Sequence, residues 1–90
     1  MNVAAGQFGF VVGQQNEVGY GGFASGEKNK AMGYNTHAEG YKTKAVKTCS
    51  HSEGASTIAQ GAYSHAEGYK GQSIGIASHA EGLETVAGGA

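Results

Sequence analysis

The sequence predicts an all-β fold: a parallel β-roll, a two-sheet solenoid with fourteen residues per coil and about six coils. Three observations predict it. The pentads THAEG (36–40), SHSEG (50–54), SHAEG (64–68) and SHAEG (78–82) begin at a constant spacing of fourteen residues. A weaker four-residue unit stands halfway between each pair, so the period is seven, alternating as fourteen. The second place of each unit is Ala or Ser from Ala24 to Ala87, and the fourth is Gly from Gly6 onward, except at Lys47.

In chain order the units are VAAG (3–6), FVVG (10–13), NEVG (16–19), FASG (23–26), KAMG (30–33), HAEG (37–40), KAVK (44–47), HSEG (51–54), IAQG (58–61), HAEG (65–68), QSIG (72–75), HAEG (79–82) and VAGG (86–89). Three-residue links join them, and one residue is missing at Gln14–Gln15. Residues 1–90 therefore read as a single β-roll domain, with a divergent N-terminal coil at 3–15 and regular repeats over 16–89. Four residues alternating small and variable, bounded by turn-rich links, predict short strands rather than helices.

Alternation sets the faces. The second and fourth places are expected inside, because only they are uniformly tiny; the first and third are expected outside. The predicted interior is Ala24, Ala31, Ala38, Ala45, Ser52, Ala59, Ala66, Ser73, Ala80 and Ala87. Links end in Thr36, Thr43, Ser50, Thr57, Ser64, Ser78 and Thr85, with Asn29, Gly22 and Gly71 filling in. Short polar side chains at one turn position suit hydrogen bonds to nearby backbone. Two strands and two links close one coil, and parallel stacking at about 4.8 Å per coil gives a roll on the order of 30 Å tall. Lys47, the exception at the glycine place, is expected to distort its strand end or mark a bulge beside Cys49.

Composition explains why such a roll needs help. The chain has seventeen Gly, no Pro, Trp, Asp or Arg, and a single Leu, Leu83. Each buried Ala methyl contributes only about 0.8 kcal/mol, against about 1.5 kcal/mol of entropy lost per ordered residue. Backbone ladders and a partner are expected to supply the rest. A net charge of −1 without Arg argues against nucleic acid. No apolar run reaches the length of a membrane span, and no basic leader follows Met1, so no direct membrane insertion is expected. One cysteine, Cys49, excludes an internal disulfide.

Every histidine of the chain, His37, His51, His65 and His79, takes the first place of a unit, with Glu39, Glu53, Glu67 and Glu81 at the third. Phe10, Val12 and Phe23 occupy the same face in earlier coils. That face repeats faithfully while the other drifts through Lys30/Met32, Lys44/Val46, Ile58/Gln60, Gln72/Ile74 and Val86/Gly88. Faithful repetition predicts a subunit interface built on Phe10, Val12, Phe23, His37, Glu39, His51, Glu53, His65, Glu67, His79 and Glu81. The alternative is a solvated face with no particular role. Stacked glutamates repel by roughly 1 kcal/mol per neighbour in water, and an imidazole beside each relieves it.

Two protonation states have opposite consequences. His protonated against Glu would have a raised pKa; His buried and neutral would have a depressed one, and acid would then weaken the assembly.

Catalytic and cofactor readings fare poorly. A Ser in a link and a His on a strand do not meet as nucleophile and base, so no catalytic residue is expected. Three symmetry-related imidazoles would have to converge within about 2.1 Å of one point at each level to hold a metal, so neither metal nor cofactor is expected. Gly21–Lys28 resembles a phosphate loop, but Glu27 stands where its Lys should follow Gly26. Gly19-x-Gly21-x-x-Ala24 is a weak dinucleotide echo without a helix after it. The absence of Asp removes the calcium-binding nonapeptide roll. Tyr20 with Tyr34, and Tyr41 with Tyr69, are expected on opposite edges of the roll, packing at a subunit seam or stacking on sugars.

The S-x-A-x-G units on this period resemble the head repeats of trimeric autotransporter adhesins, the YadA-like haemagglutinin/invasin-like repeats. The SHAEG form is similar to repeats of phage tail-fibre and tailspike-associated proteins. The resemblance covers roughly residues 3–89. It implies a left-handed roll, a homotrimer, and surface attachment to a host-surface protein or glycan, at a bacterial cell surface or on a phage virion. A structural trimerising spacer of a phage tail fibre or spike is the alternative. Nothing in the ninety residues resembles the family's neck, stalk or membrane anchor, and no stretch matches the collagen or matrix binding of some members.

Overall fold

The computed structural model describes residues 3–4 and 9–88, which form strands and turns with no helix among them. Short and long strands alternate: β1 (Val3–Ala4), β2 (Phe10–Gln14), β3 (Glu17–Val18), β4 (Phe23–Glu27), β5 (Lys30–Ala31), β6 (His37–Tyr41), β7 (Lys44–Ala45), β8 (His51–Ala55), β9 (Ile58–Ala59), β10 (His65–Tyr69), β11 (Gln72–Ser73), β12 (His79–Leu83) and β13 (Val86–Ala87). The odd strands make one sheet and the even strands the other, and every pairing is parallel to the copy one coil away. The result is a two-sheet β-solenoid of about six coils, 32 × 21 × 9 Å across its Cα positions. Six steps of about 4.8 Å account for the long axis.

The interior follows the second place of each unit. Ala24, Ala31, Ala38, Ser52, Ala45, Ala59, Ala66 and Ser73 are fully buried, Ala80 nearly so, and Ala87, in the last strand, half-buried. With nothing larger than a methyl or hydroxymethyl between them at those places, the two sheets close to a slab only 9 Å thick.

Four expectations need correction. The strands are not equal; one sheet carries five-residue strands and the other two-residue strands. Nor does the fourth place of the long strands face inward. Gly26, Gly40, Gly54 and Gly68 are exposed and have φ between 102° and 108°. A methyl on Gly54 would stand 2.1 Å from the Gly68 carbonyl oxygen. Glycine is required there by the backbone's bend and by the coil stacked against it, not by a close facing sheet.

The missing residue also lies elsewhere. β3 pairs Glu17 with Lys30 and Val18 with Ala31, and β2 pairs Phe10 with Phe23, all thirteen residues apart. The chain is thus shortened between Val18 and Phe23, not at Gln14–Gln15. Asn16 becomes the last residue of a link, like Asn29, and Val18, 2% exposed, joins the interior. The shortened stretch is rich in glycine for a reason: Gly21 has φ 65°, and a methyl on Gly19 would meet the Met32 oxygen at 2.7 Å. Ala5 and Gly6 of the first unit and Gly89 of the last lie outside the described residues.

The links do what their residue types suggested. Thr36, Ser50, Ser64 and Ser78 each donate a side-chain hydroxyl to the carbonyl three residues back, at Gly33, Lys47, Gly61 and Gly75. On the opposite edge the link ends are tied from coil to coil. Asn16 Nδ2 donates to Val12 O and Gly26 O, and its Oδ1 accepts from Asn29 N at 2.9 Å. Asn29 repeats the pattern one coil on: Nδ2 donates to Ser25 O and Gly40 O, while Oδ1 accepts from the Thr43 amide and hydroxyl. In the next link Thr57 donates to Glu53 O and shares a hydroxyl contact of 2.7 Å with Ser52.

Middle residues of the links are left-handed, including Asn35, Lys42, Cys49, Ser56, Tyr63 and Lys70 at φ 56–58°. Each donates its amide to the preceding coil, as Lys42 N does to Glu27 O and Tyr63 N to Thr48 O. These bonds offset the steric cost of the conformation. The expected distortion at Lys47 does not occur. Its link closes through Ser50 N to Lys47 O at 3.1 Å, as Ser64 N closes on Gly61 O at 3.3 Å. Lys47 has an ordinary φ, and its side chain points to solvent.

Candidate functional site

The long-strand sheet presents one ordered wall. Parallel, in-register pairing places first-place residues of successive coils directly over one another. Phe10, Phe23, His37, His51, His65 and His79 form a single column of six rings. Their centroids are separated, in order, by 5.2, 4.6, 4.4, 4.5 and 4.5 Å. The imidazoles stack nearly flat, with planes 2–8° apart. Coil pitch sets the ring separation and favours stacking, although Phe23 and His37 lie tilted at 42° where the column changes from phenyl to imidazole.

Val12, Ser25, Glu39, Glu53, Glu67 and Glu81 form the neighbouring column, two residues along each strand. All eleven residues expected at an interface therefore lie on one face, as alternation requires. Phe10 and Val12 are about half-exposed, Phe23 and the inner His and Glu half-buried, and His79 and Glu81 exposed at the end of the column.

The relation between the columns was not legible in the pentads. Glu53 and Glu67 each reach their own imidazole and also the one in the next coil. Glu53 lies 3.5 Å from His51 Nε2 and 3.7 Å from His65 Nε2. Glu67 lies 3.6 Å from His65 Nε2 and 3.7 Å from His79 Nε2. His37–Glu39 and His79–Glu81 complete the series at 3.5 and 3.9 Å. These separations are longer than ordinary hydrogen bonds. The Nε2 atoms of His37, His51 and His65 are shielded from solvent without a hydrogen-bond partner.

Electrostatics follow from this packing. Burial pushes the His51 pKa below its ordinary value, and the neighbouring His37 and His65 push it the same way, against the attraction of Glu53. Glu39 is held below the usual carboxylate range, first by a hydrogen bond with the Glu53 carboxyl. Burial opposes that shift and His37 supports it. For His51, the neutral, buried version of the two protonation states is therefore the one the packing favours.

The serine of the pentad is occupied elsewhere. Ser64 Oγ is buried and donates to Gly61 O, turned away from the face that carries His65. Elsewhere on the surface, Tyr20 and Tyr34 meet edge to face at 5.6 Å on one edge, while Lys42 and Lys70 lie 5.2 Å over Tyr41 and Tyr69 on the other. Cys49 is free and exposed in its link. The Gly21–Lys28 segment runs through strand β4, with Gly21 and Gly26 serving the bends described above. No protein-family model matches the chain, and no curated protein matches it at a significant level.

Proposed function

We propose that the chain is a non-enzymatic attachment module, a rigid head of three identical left-handed β-rolls. In this reading the His/Glu wall is turned toward the neighbouring subunits. The observation that carries it is the inversion of side-chain size. The interior is built mainly of Ala, Ser and Thr, whereas Phe10, Phe23 and the four imidazoles stand on the outside in one straight column. A slab that thin gains little from its own core, and covering the ring column with a second copy would bury ring surface that the narrow interior cannot. The residues of the interface are Phe10, Val12, Phe23, His37, Glu39, His51, Glu53, His65, Glu67, His79 and Glu81. A host-surface protein or glycan is the proposed target, at a bacterial cell surface or on a phage virion.

Sedimentation or light scattering at micromolar concentration and pH 7 tests the assembly. A folded species near three times 9.1 kDa, or 27.3 kDa, is expected. A folded 9.1 kDa monomer would overturn the subunit interface. Binding to glycan arrays and matrix proteins tests attachment itself. A second reading, a trimerising spacer in a tail fibre or spike, is favoured by the sameness of the wall. His51, His65 and their carboxylates offer nearly identical surroundings at successive levels, which suits a length-setting element as well as a receptor site. Uniform failure to bind glycans or matrix proteins would favour it.

A further inference from the structure

Glu67 Oε1 stands between two imidazoles, 3.6 Å from His65 Nε2 and 3.7 Å from His79 Nε2. All three donor atoms lie within 4.8 Å of one another, and the same is true of His37/Glu39/His51 and of His51/Glu53/His65. A tetrahedral ion bound at about 2.0–2.1 Å holds its ligand atoms about 3.4 Å apart. Six imidazole–carboxylate contacts of the wall, at 3.5–3.9 Å, exceed that spacing by about half an ångström or less, yet are too long for hydrogen bonds; Glu39 and His51 complete their triplet within 4.8 Å. His65 Nε2 is shielded and has no hydrogen-bond partner. A lone pair aimed at a carboxylate oxygen needs a proton or a cation between them.

From this geometry we propose that the wall binds divalent transition-metal ions, with each ion held by two successive imidazoles and the carboxylate between them. All three ligands come from one chain, so the proposal is independent of trimer formation and of what the module attaches to. Imidazole nitrogen with a carboxylate suits Zn²⁺, and also Cu²⁺ and Ni²⁺, while Mg²⁺ and Ca²⁺ prefer all-oxygen shells. Ligation through Nε2 places the ring proton on Nδ1. Three protein ligands leave a fourth coordination position for water or for a group lying over the wall.

Stoichiometry is fixed by ring chemistry. A neutral imidazole has one Nε2 lone pair, so a ring shared by two overlapping triplets serves a single ion. Four rings therefore hold two ions, one on His37/Glu39/His51 and one on His65/Glu67/His79. The middle triplet stays empty while both outer ones are filled. Two coils separate the ions, about 9.6 Å. Their four positive charges match the four carboxylates of the column, Glu39, Glu53, Glu67 and Glu81.

Calorimetric titration of the full chain tests this, using EDTA-stripped protein, ZnCl₂ at pH 7.5, and a Cys49→Ser background that removes the competing thiol. Two Zn²⁺ per chain are expected, with micromolar or tighter dissociation constants, and no comparable uptake of Mg²⁺. The decisive comparison uses two double variants, each lacking two rings. His37→Gln with His79→Gln leaves adjacent rings at 51 and 65 around Glu53, and should bind one ion. His51→Gln with His79→Gln leaves rings two coils apart, and should bind none; circular dichroism confirms that both remain folded. If that second pair disturbs the fold, His37→Gln with His65→Gln leaves an equivalent separation and replaces it. Equal binding by the adjacent and separated variants would overturn the proposal. So would a wild-type chain that takes up no Zn²⁺ below about 1 mM.

Discussion

The imidazoles of His51 and His65 lie face to face with centroids 4.5 Å apart and planes 6° apart, and Glu53 reaches both. Two positive rings at that distance would repel, so the stack works against a charge on His51. His51 faces His37 and His65 in the coils on either side, with Glu39 and Glu53 beside it. Its pKa is depressed by burial first and by those rings second. The sign then follows. Below the unfolded value of about 6.5 the unfolded chain takes up a proton that the folded wall resists. The contribution is fully present above pH 6.5 and lost as pH falls through the folded value. Thermal midpoints of the metal-free chain should decline from pH 7.5 to pH 5, and His51→Gln should flatten the decline. A midpoint that rises on acidification would show that the rings are protonated against their carboxylates.

Asn29 is buried and makes four side-chain hydrogen bonds that tie two successive coils together. Asn29→Ala strands the Thr43 amide and the Ser25 and Gly40 carbonyls at once. At about 1–3 kcal/mol for each buried group left unsatisfied, with partial relief from relaxation, a loss of about 3 kcal/mol is expected in urea denaturation. Asn29→Asp keeps the acceptor oxygen but loses both donors and buries a charge, and should cost at least as much.

Gly54 and Gly88 are both exposed, although the period assigns Gly54 to the inward fourth place and Gly88 to the outward third. At Gly54 φ is 102°, and an added methyl would sit 2.1 Å from Gly68 O. At Gly88 an added methyl meets nothing within 4 Å. Gly54→Ala should cost more than about 3 kcal/mol or unfold the middle coils, whereas Gly88→Ala should stay within about 0.5 kcal/mol of wild type. Similar unfolding midpoints for the two variants would rule out the close stacking of Gly54 on Gly68.

Much of this roll could be read from the chain. The fourteen-residue coil, the Ala and Ser interior and the outward His and Glu follow from period and alternation, because a buried place between close sheets admits only small side chains. Glycine defeated the same logic. A residue with no side chain gives the same letter whether it faces inward, as Gly61 does, or turns a corner in the open at φ 108°, as Gly40 does. The register slip was misplaced for a related reason. Gly19 fits one frame, while Asn16 with Asn29 and Val18 with Ala31 fit another, and hydrogen-bonding and strand-pairing partners decide between them. The bridging of Glu53 and Glu67 to two His each needs the coil pitch as well as the pattern, and becomes visible only with coordinates.

His37 is the ring at which the aromatic column changes chemistry. It packs on Phe23 at 4.6 Å on one side and on His51 at 4.4 Å on the other, and its Nε2 is shielded without a hydrogen-bond partner. His37→Phe removes that unsatisfied nitrogen and continues the column begun by Phe10 and Phe23. Aromatic pairs contribute about 0.5–1.5 kcal/mol beyond area burial, and relief of a shielded polar atom adds to it. Against this stands the loss of the imidazole beside Glu39, a half-exposed pair at 3.5 Å that is worth little. The gain should therefore win, raising stability by about 1 kcal/mol at pH 7 in denaturant unfolding of the metal-free chain. A loss of stability instead would mean that the His37–Glu39 pair outweighs ring stacking, and that the carboxylate column depends on every imidazole beside it.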